Sequence, residues 1–445
     1  MAPPPKKRDA NWIDGLRGVA SFIVVTGHLC TAFVPYLHDA SAGEGQWPLL
    51  FQYPILRLCV AGRAAVAMFF ILTGYVNSLN PIKNSTNGNF ELALSNLAKS
   101  TFTRSGRLVF PTNVAAFVAW LFCQVGASNL ARRVDSPWIR MVTKEPGPTF
   151  WQAIKKLMVN LTFFWHNGDG TYDPTHWSIV YFLQGSMRLY LVLLATMLVK
   201  TKWRMAVVAA LYIFGWCTSD YIMGINIYCG LLLAQLQTSF GSRATSTLPK
   251  FVPVCIILLG LIIVSFPQEH HDWMTWSWVM RKIMLAITPN SAEKFIGRYW
   301  VNIGCTTLFT GIFFSRNARR VLTMPLFNFL GSVSFPVYLL HASLIRTLLV
   351  WMVYGFSAFG MDLNAKTEDG KPVEVKRAGP LVFAIALPIF YVVLYGIAHL
   401  WMKYVDPLCA KAVTWLRERM FTEEPALATV EKPIPLTTVT TATSS

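Results

Sequence analysis

The chain has 445 residues, of which 54% are hydrophobic and only 14% are charged, against about 25% charged residues in an average soluble domain. So much apolar surface excludes a disordered chain, and its arrangement in long blocks argues against a single water-soluble core. The 39 basic and 22 acidic residues give a formal net charge of +17. Because the basic residues stand in short runs between apolar blocks, this charge indicates membrane topology and not a nucleic-acid partner.

The apolar blocks predict an all-α, polytopic integral membrane protein with about ten transmembrane helices around a central cavity. Since a bilayer core requires about 20 apolar residues, we expect spans at residues 17–36, 58–79, 108–128, 177–199, 204–218, 220–238, 251–266, 298–315, 329–354 and 380–404. A cytosolic arm of residues 1–10 precedes the transmembrane domain of residues 11–420. Residues 421–445 are rich in Thr, Pro and Ala and predict a disordered tail.

The positions of Lys and Arg orient these spans, because short cytosolic loops carry an excess of both. With the N-terminus in the cytosol, the basic runs before residue 108, after residue 199 and at residues 316–320 all fall in cytosolic loops, and so does the C-terminal segment. The long loop 129–176 is basic but falls on the other side. The pattern predicts a multi-pass protein of an endomembrane or the plasma membrane with both termini in the cytosol.

Two histidines are expected near the middle of the bilayer, where ionisable groups need a structural or functional reason. His28 follows Arg17 by eleven residues, which places it on nearly the same helical face and ~16 Å further along the axis. His341 lies about twelve residues into the span 329–354. A catalytic or proton-carrying role is one interpretation of each histidine, and hydrogen-bonded packing is the other. Arg188, midway along its span, needs a partner that the sequence does not name.

Arg104 and Arg107 lie just before the third span at a spacing that puts both guanidinium groups on one helix face. Arginine suits phosphate oxygens, although spacing alone favours an ordinary lipid-facing flank. With a histidine that can titrate near neutral pH, this pair could bring a phosphorylated cytosolic cofactor to an acceptor in the membrane. A proton-coupled transporter would use the same residue types.

Five sequence blocks, in order, resemble the acyltransferase-3 family of membrane acyltransferases, especially its fungal branch. They are residues 11–20 (NWIDGLRGVA) followed by His28, residues 69–75 (FFILTGY), Arg104 and Arg107 followed by Pro111, residues 177–187 (WSIVYFLQGSM) and residues 334–341 (SFPVYLLH). The resemblance implies transfer of an acyl group, often acetyl, from acyl-CoA to a hydroxyl of a sugar, lipid or small metabolite. It also implies that His28 is catalytic and that Arg17, Arg104 and Arg107 hold the CoA phosphates.

Within the fourth block, Phe182 stands where the family has glutamate and Gln184 where it has arginine. Candidate substrate-binding residues of this block are Trp177, Ser178, Tyr181 and Gln184. His341 is the second catalytic candidate, which would orient the acceptor or stabilise an oxyanion. We expect no metal, because no cluster of His, Asp or Glu has ligand spacing. The alternatives left open are a transporter and, because of Phe182, a family member that binds without catalysis.

Overall fold

The computed structural model describes residues 11–168, 172–289, 294–362, 365 and 373–421. Over these ranges the chain folds into α-helices without a named strand, which confirms the all-α prediction. The predicted arm 1–10 and, apart from Phe421, the predicted tail 421–445 lie outside the described residues. The helices, numbered in chain order, are α1 Trp12–Phe33, α2 Gly62–Thr86, α3 Phe90–Gln124, α4 Pro137–Val142, α5 Phe150–Asn167, α6 Trp177–Ala195, α7 Thr201–Cys217, α8 Gly224–Phe240, α9 Phe251–Val264, α10 Thr275–Ile287, α11 Ile296–Phe314, α12 Arg316–Leu322, α13 Pro325–Ser332, α14 Ser334–Leu344, α15 Val350–Ala358 and α16 Pro380–Met420.

Within the described ranges, six helical segments are long and apolar enough to cross a membrane, which indicates a multi-pass membrane protein. They are α1, α2, α3, α6 with the turn before it, α14 to α15, and α16. The segments Gly224–Ser246 and Phe251–Val264 are bent by 116° and give a seventh if they form one span. About ten spans were predicted, and six or seven segments of the described residues meet these criteria of length and composition. Each predicted block contains a helix, but α9 has only 14 residues, too few to cross alone, and α7 with 17 residues is at the lower limit of length.

Helix α1 packs backbone to backbone against α12 and α13. A Cβ atom on Gly15 would overlap the carbonyl oxygen of Leu322, and a Cβ atom on Gly18 would lie 2.6 Å from the backbone nitrogen of Gly331. The side chain of Asn11 caps the helix by accepting a hydrogen bond from the backbone N–H of Ile13 at 3.1 Å. These contacts explain the glycines of the first sequence block and fix the helix that carries Arg17 and His28.

Replacing Gly15 with alanine is expected to lower the midpoint of thermal unfolding. The added Cβ meets a backbone carbonyl, which cannot move aside as a flexible side chain can, and overpacking of this kind costs about 1–3 kcal/mol. The matched control is Gly396→Ala in α16, where the added atom meets nothing within 4 Å. Equal unfolding midpoints for the two variants in detergent would show that the close packing of α1 is not required.

Two large apolar clusters form the protein core. One centres on α2, α8 and α11 with Phe70 and Phe309, and the other on α1, α14 and α16 with Val25 and Phe390. Phe182 of α6 packs against both clusters. It therefore lies at the seam between the clusters, which is where the main cavity opens.

Arg188 of α6 pairs with Asp220, with 2.6 Å between Nη1 and Oδ2. Asp220 lies in the turn between α7 and α8, and the arginine side chain is half exposed. Asp220 is therefore the partner of Arg188 that the sequence alone did not identify. Because Arg188 is not among the residues lining the main cavity in the described ranges, it gives no support to a transport pathway there.

Candidate active site

A cavity of about 790 Å³ opens between α1, α2, α3, α6, α14 and α16. Its described lining carries five cationic side chains, on the three helices α1, α3 and α16, and a single acid, Asp406. The cations are Arg17, Lys99, Arg104, Arg107 and Arg417. The three arginines predicted to act together are thus brought to one cavity, and Lys99 and Arg417 join them. The excess of positive charge suits a ligand with several negative groups.

Arg104 is a half-buried cation of this lining. Its Nη2 donates a weak hydrogen bond to Thr73 Oγ1 at 3.5 Å. Its Nε is buried and has no hydrogen-bond partner within the part of the chain that the structure describes. Since buried polar groups are almost always paired, this N–H is available to an anion that enters the cavity. Arg17, by contrast, holds Asp14 through Nη1 at 3.3 Å.

Contacts between neighbouring helices define an axis through the cavity, from Arg104 toward Phe182. Arg104 on α3 contacts Thr73 on α2, and one turn back along α2 the ring of Phe70 stacks on Phe182, with 4.1 Å between the ring centroids. Phe182 lies on α6 and lines the cavity. The cavity wall therefore changes from cationic to aromatic over about one helical turn.

The inner end of the cavity is formed by Tyr338 of α14. Its hydroxyl lies 2.6 Å from Ser178 Oγ and donates to the carbonyl oxygen of Thr175 at 2.7 Å. Ser178 is one turn before Phe182 on α6, so this contact continues the same axis. The ring of Tyr338 lies 5.8 Å from that of His341, so the predicted histidine comes directly after the cavity.

His28 and His341 meet although they are 313 positions apart in the sequence, with 5.1 Å between their ring centroids. Nδ1 of His341 lies 2.8 Å from the carbonyl oxygen of Tyr338. A carbonyl only accepts, so Nδ1 donates and Nε2 is the unprotonated nitrogen. Nε2 is buried and lacks a hydrogen-bond partner among the described residues. Trp138 of α4 stacks on His28, with 5.4 Å between centroids, and was not anticipated from the sequence.

The histidine pair does not itself line the cavity in the described ranges. The pair lies behind the ring of Tyr338, which contacts His341. This is the apolar end of the cavity, away from the five cations. The order along the axis is therefore cationic lining, aromatic wall, tyrosine, and then the two histidines. This order is the one that a donor with an anionic end and a reactive end would need.

The four candidate substrate-binding residues on α6 fall on different sides of the helix. Ser178 is buried against Tyr338. Trp177 and Tyr181 contact each other, with 5.6 Å between their rings, and Gln184 is exposed. The α6 residues that line the cavity are Ile179, Phe182 and Tyr190. Substrate binding by Trp177, Ser178, Tyr181 and Gln184 stays a prediction.

A buried ion pair next to the histidines was missed in the sequence. Asp173, which is fully buried, accepts hydrogen bonds from Arg346 Nη2 at 3.1 Å, Ser343 Oγ at 2.7 Å and Thr175 Oγ1 at 2.6 Å. Burial alone would raise the pKa of the Asp173 carboxyl, but His176, Arg346 and the two hydroxyl donors hold it below its usual value. Arg346 lies within a π-helical segment, Ile345–Leu349, a feature that is common at functional sites.

This ion pair belongs to a set of contacts that joins the start of α6 to α14. His176 Nε2 lies 2.8 Å from the carbonyl oxygen of Leu339 and donates to it, and Thr175 accepts from Tyr338. We call Asp173, Thr175, His176, Ser343 and Arg346 the clamp. Because His341 lies between the contact points on α14, the clamp sets its position. A signal existed in the sequence, since Arg346 is a charged residue within an apolar span.

Comparison with known proteins gives one family and several relatives. A family model described as an acyltransferase domain, of the acyltransferase-3 family, matches residues 10–399. The chain is 23% identical to the O-acetyltransferase PaAT-1 of Phomopsis amygdali, over 93% of this chain and 86% of the relative. It is 22% identical to acyltransferase clz18 of Cochliobolus lunatus, with 92% and 96% covered. It is also 22% identical to acyltransferase R4 of a Phoma species, with 97% and 99% covered.

No solved structure matches the chain. The family match extends over nearly all of the described residues, and it includes the helices that carry Arg17, His28, Arg104, Arg107 and His341. It confirms the resemblance that the five sequence blocks indicated. The chain belongs to the acyltransferase-3 family.

Proposed function

We propose that the protein is a membrane-bound O-acyltransferase that moves an acyl group, such as acetyl, from acyl-CoA to a hydroxyl group of an acceptor. The observation that carries this proposal is the order of groups along one axis: cations and an aromatic wall in the cavity, and a pair of histidines just beyond Tyr338. Family membership supports acyl transfer, and one relative is named an O-acetyltransferase. The CoA donor is inferred from the cavity.

The cationic lining suits the phosphate groups of CoA. Arg104 and Arg107 share one helix face, and guanidinium groups bind phosphate oxygens bidentately. Arg17 and His28 lie eleven residues apart on α1, a separation of ~16 Å that the extended arm of the coenzyme can cover. The cationic end then faces the cytosol, where acyl-CoA is found, and so does the N-terminus of α1.

Acyl transfer to an alcohol needs a base that accepts the hydroxyl proton and a thioester bound next to that base. In this proposal His341 Nε2, which has no hydrogen-bond partner in the described residues, accepts the N–H of His28 once the two rings move closer than their present 5.1 Å. The other nitrogen of His28 is then unprotonated. That nitrogen takes the proton of the acceptor hydroxyl while its oxygen bonds to the thioester carbonyl carbon. The carbon–sulfur bond then breaks, and the leaving thiolate takes the proton back from the imidazolium. General-base assistance of this kind contributes about 10²–10⁴-fold.

Replacing Arg104 and Arg107 with alanine is expected to weaken acyl-CoA binding by at least about tenfold, since hydrogen bonds to charged groups contribute about 1.5–3 kcal/mol each. Binding of labelled acetyl-CoA to the purified protein measures the effect. The matched control is Arg316→Ala with Arg320→Ala, a pair of exposed arginines on α12 outside the cavity lining. Unchanged affinity in the Arg104 and Arg107 variant would assign those residues to lipid headgroups.

One observation favours a second candidate function, a family member that binds acyl-CoA without transferring the acyl group. Phe182 occupies the cavity wall at the position where the family pattern has a carboxylate. Incubation of membranes containing the protein with labelled acetyl-CoA distinguishes the two. Labelled ester among extracted products supports the transferase, and bound label without any ester or thioester cleavage supports the binding protein.

A further inference from the structure

The inner half of the cavity offers almost no group that can bind a polar substrate. Its lining there is apolar or aromatic and comes from α2, α3, α6 and α14: Phe69, Leu108, Ile179, Phe182, Phe335 and Tyr338. The cations lie at the other end of the axis. An acceptor that reaches the histidine pair must therefore make most of its contacts with these apolar side chains.

Phe182 is held firmly in this wall. Its ring stacks on Phe70 at 4.1 Å with 26° between the planes, and it meets the ring of Phe69 at 6.4 Å and 84°. Offset stacking and edge-to-face contact are the preferred arrangements of aromatic rings. The ring therefore needs no rearrangement to form a flat apolar surface, and the hydrogen-bonding capacity that a glutamate would have at this position is lost.

The polar atoms that remain at the inner end are already paired. The hydroxyl of Tyr338 bonds to Ser178 and Thr175, and Ser334 Oγ donates to the carbonyl oxygen of Gly331 at 2.8 Å. A polyhydroxylated acceptor would place several hydroxyl groups here without partners, and each unpaired buried hydroxyl is unfavourable. A ligand with an apolar skeleton gains instead from the area it buries.

We propose that the acceptor is a lipophilic alcohol, in which the reacting hydroxyl is carried by an apolar ring skeleton, and not a sugar. Phe69, Ile179 and Phe182 bind the skeleton, and the hydroxyl points toward the histidine pair. This inference rests on the proposed O-acyl transfer and adds the chemical class of its acceptor.

The test compares decalol, an apolar fused-ring alcohol, with myo-inositol, a ring alcohol that carries six hydroxyl groups. Both are offered in labelled form to the purified protein in lipid nanodiscs, with empty nanodiscs as the control for partition into lipid. We expect decalol to bind at least about 100-fold more tightly than myo-inositol, since pockets discriminate strongly when polar groups are left unpaired. Equal or tighter binding of myo-inositol would overturn the proposal.

Variants of Phe182 test the wall itself. Phe182→Leu keeps an apolar side chain and should preserve the ratio of the two affinities, whereas Phe182→Gln adds a donor and an acceptor and should lower the ratio about tenfold or more. An unchanged ratio in Phe182→Gln would overturn the assignment of this wall as the acceptor site. Acetyl transfer is measured separately with labelled acetyl-CoA. Decalol that binds with the expected selectivity but is never acetylated would contradict the proposed transfer and still support the apolar site.

Discussion

His28→Ala is expected to lower the rate of acyl transfer by about 10²–10⁴-fold, the usual contribution of a general base, while the protein still inserts in the membrane. The imidazole of His28 lies beside His341 and against Trp138, and in the proposed mechanism it takes the proton of the acceptor. The measurement is release of labelled ester from membranes supplied with acetyl-CoA. The affinity for acetyl-CoA should change little, because the cationic lining is untouched.

His341→Ala should have an effect of similar size, because His28 then loses the partner that fixes its tautomer. The matched control is His399→Ala, since His399 is an exposed histidine on α16 outside the described cavity lining. Normal turnover in His28→Ala would remove the base from the mechanism. A normal His341→Ala enzyme with an inactive His28→Ala enzyme would show that His28 acts without its neighbour.

Asp173→Asn is expected to destabilise the fold by about 3–5 kcal/mol, the usual consequence of leaving a buried charge without its partner. Arg346 is 5% exposed and would lose the carboxylate that balances it. Thermal unfolding in detergent measures the loss of stability. In protein that remains folded, kcat should fall while KM for acetyl-CoA stays the same, because the clamp positions His341 and lies far from the cations.

Two variants control the Asp173 experiment. Glu145→Gln removes an exposed carboxylate that pairs with Arg132 at 3.1 Å, and exposed pairs contribute only about 0–1 kcal/mol. Asp173→Asn combined with Arg346→Met removes both charges and should recover most of the lost stability. If the double variant is no more stable than Asp173→Asn alone, the ion pair is not the source of the effect.

The sequence predicted those parts of the site that depend on depth in the membrane and on helical spacing. His28 and His341 were both expected near mid-span, and their rings lie 5.1 Å apart. Arg104 and Arg107 share a face and line one cavity with Arg17, because i and i+3 positions on a helix are neighbours. Such features follow from the geometry of single helices, which can be derived without knowing how the helices pack.

Features that depend on packing between distant segments could not be derived in this way. Asp173 and Arg346 are 173 positions apart, and nothing in either segment alone shows that a turn before α6 contacts α14. The resemblance of residues 177–187 to the family block suggested Gln184 as a substrate-binding residue. In the structure the Gln184 side chain is exposed, and Phe182 lines the cavity instead. The bend of 116° between the helical segments Gly224–Ser246 and Phe251–Val264 is likewise a packing feature, since the two apolar blocks predicted there do not reveal the angle at which they meet.

The close packing of α1 has a consequence for the spacing between Arg17 and His28. Gly15 and Gly18 hold this helix against the backbones of α12 and α13. The positions of Arg17 and His28 relative to the neighbouring helices are therefore fixed. One residue inserted between these positions would advance the histidine by 1.5 Å and turn it by about 100°, away from His341. The number of residues between Arg17 and His28, more than their identity, is therefore what keeps His28 beside His341.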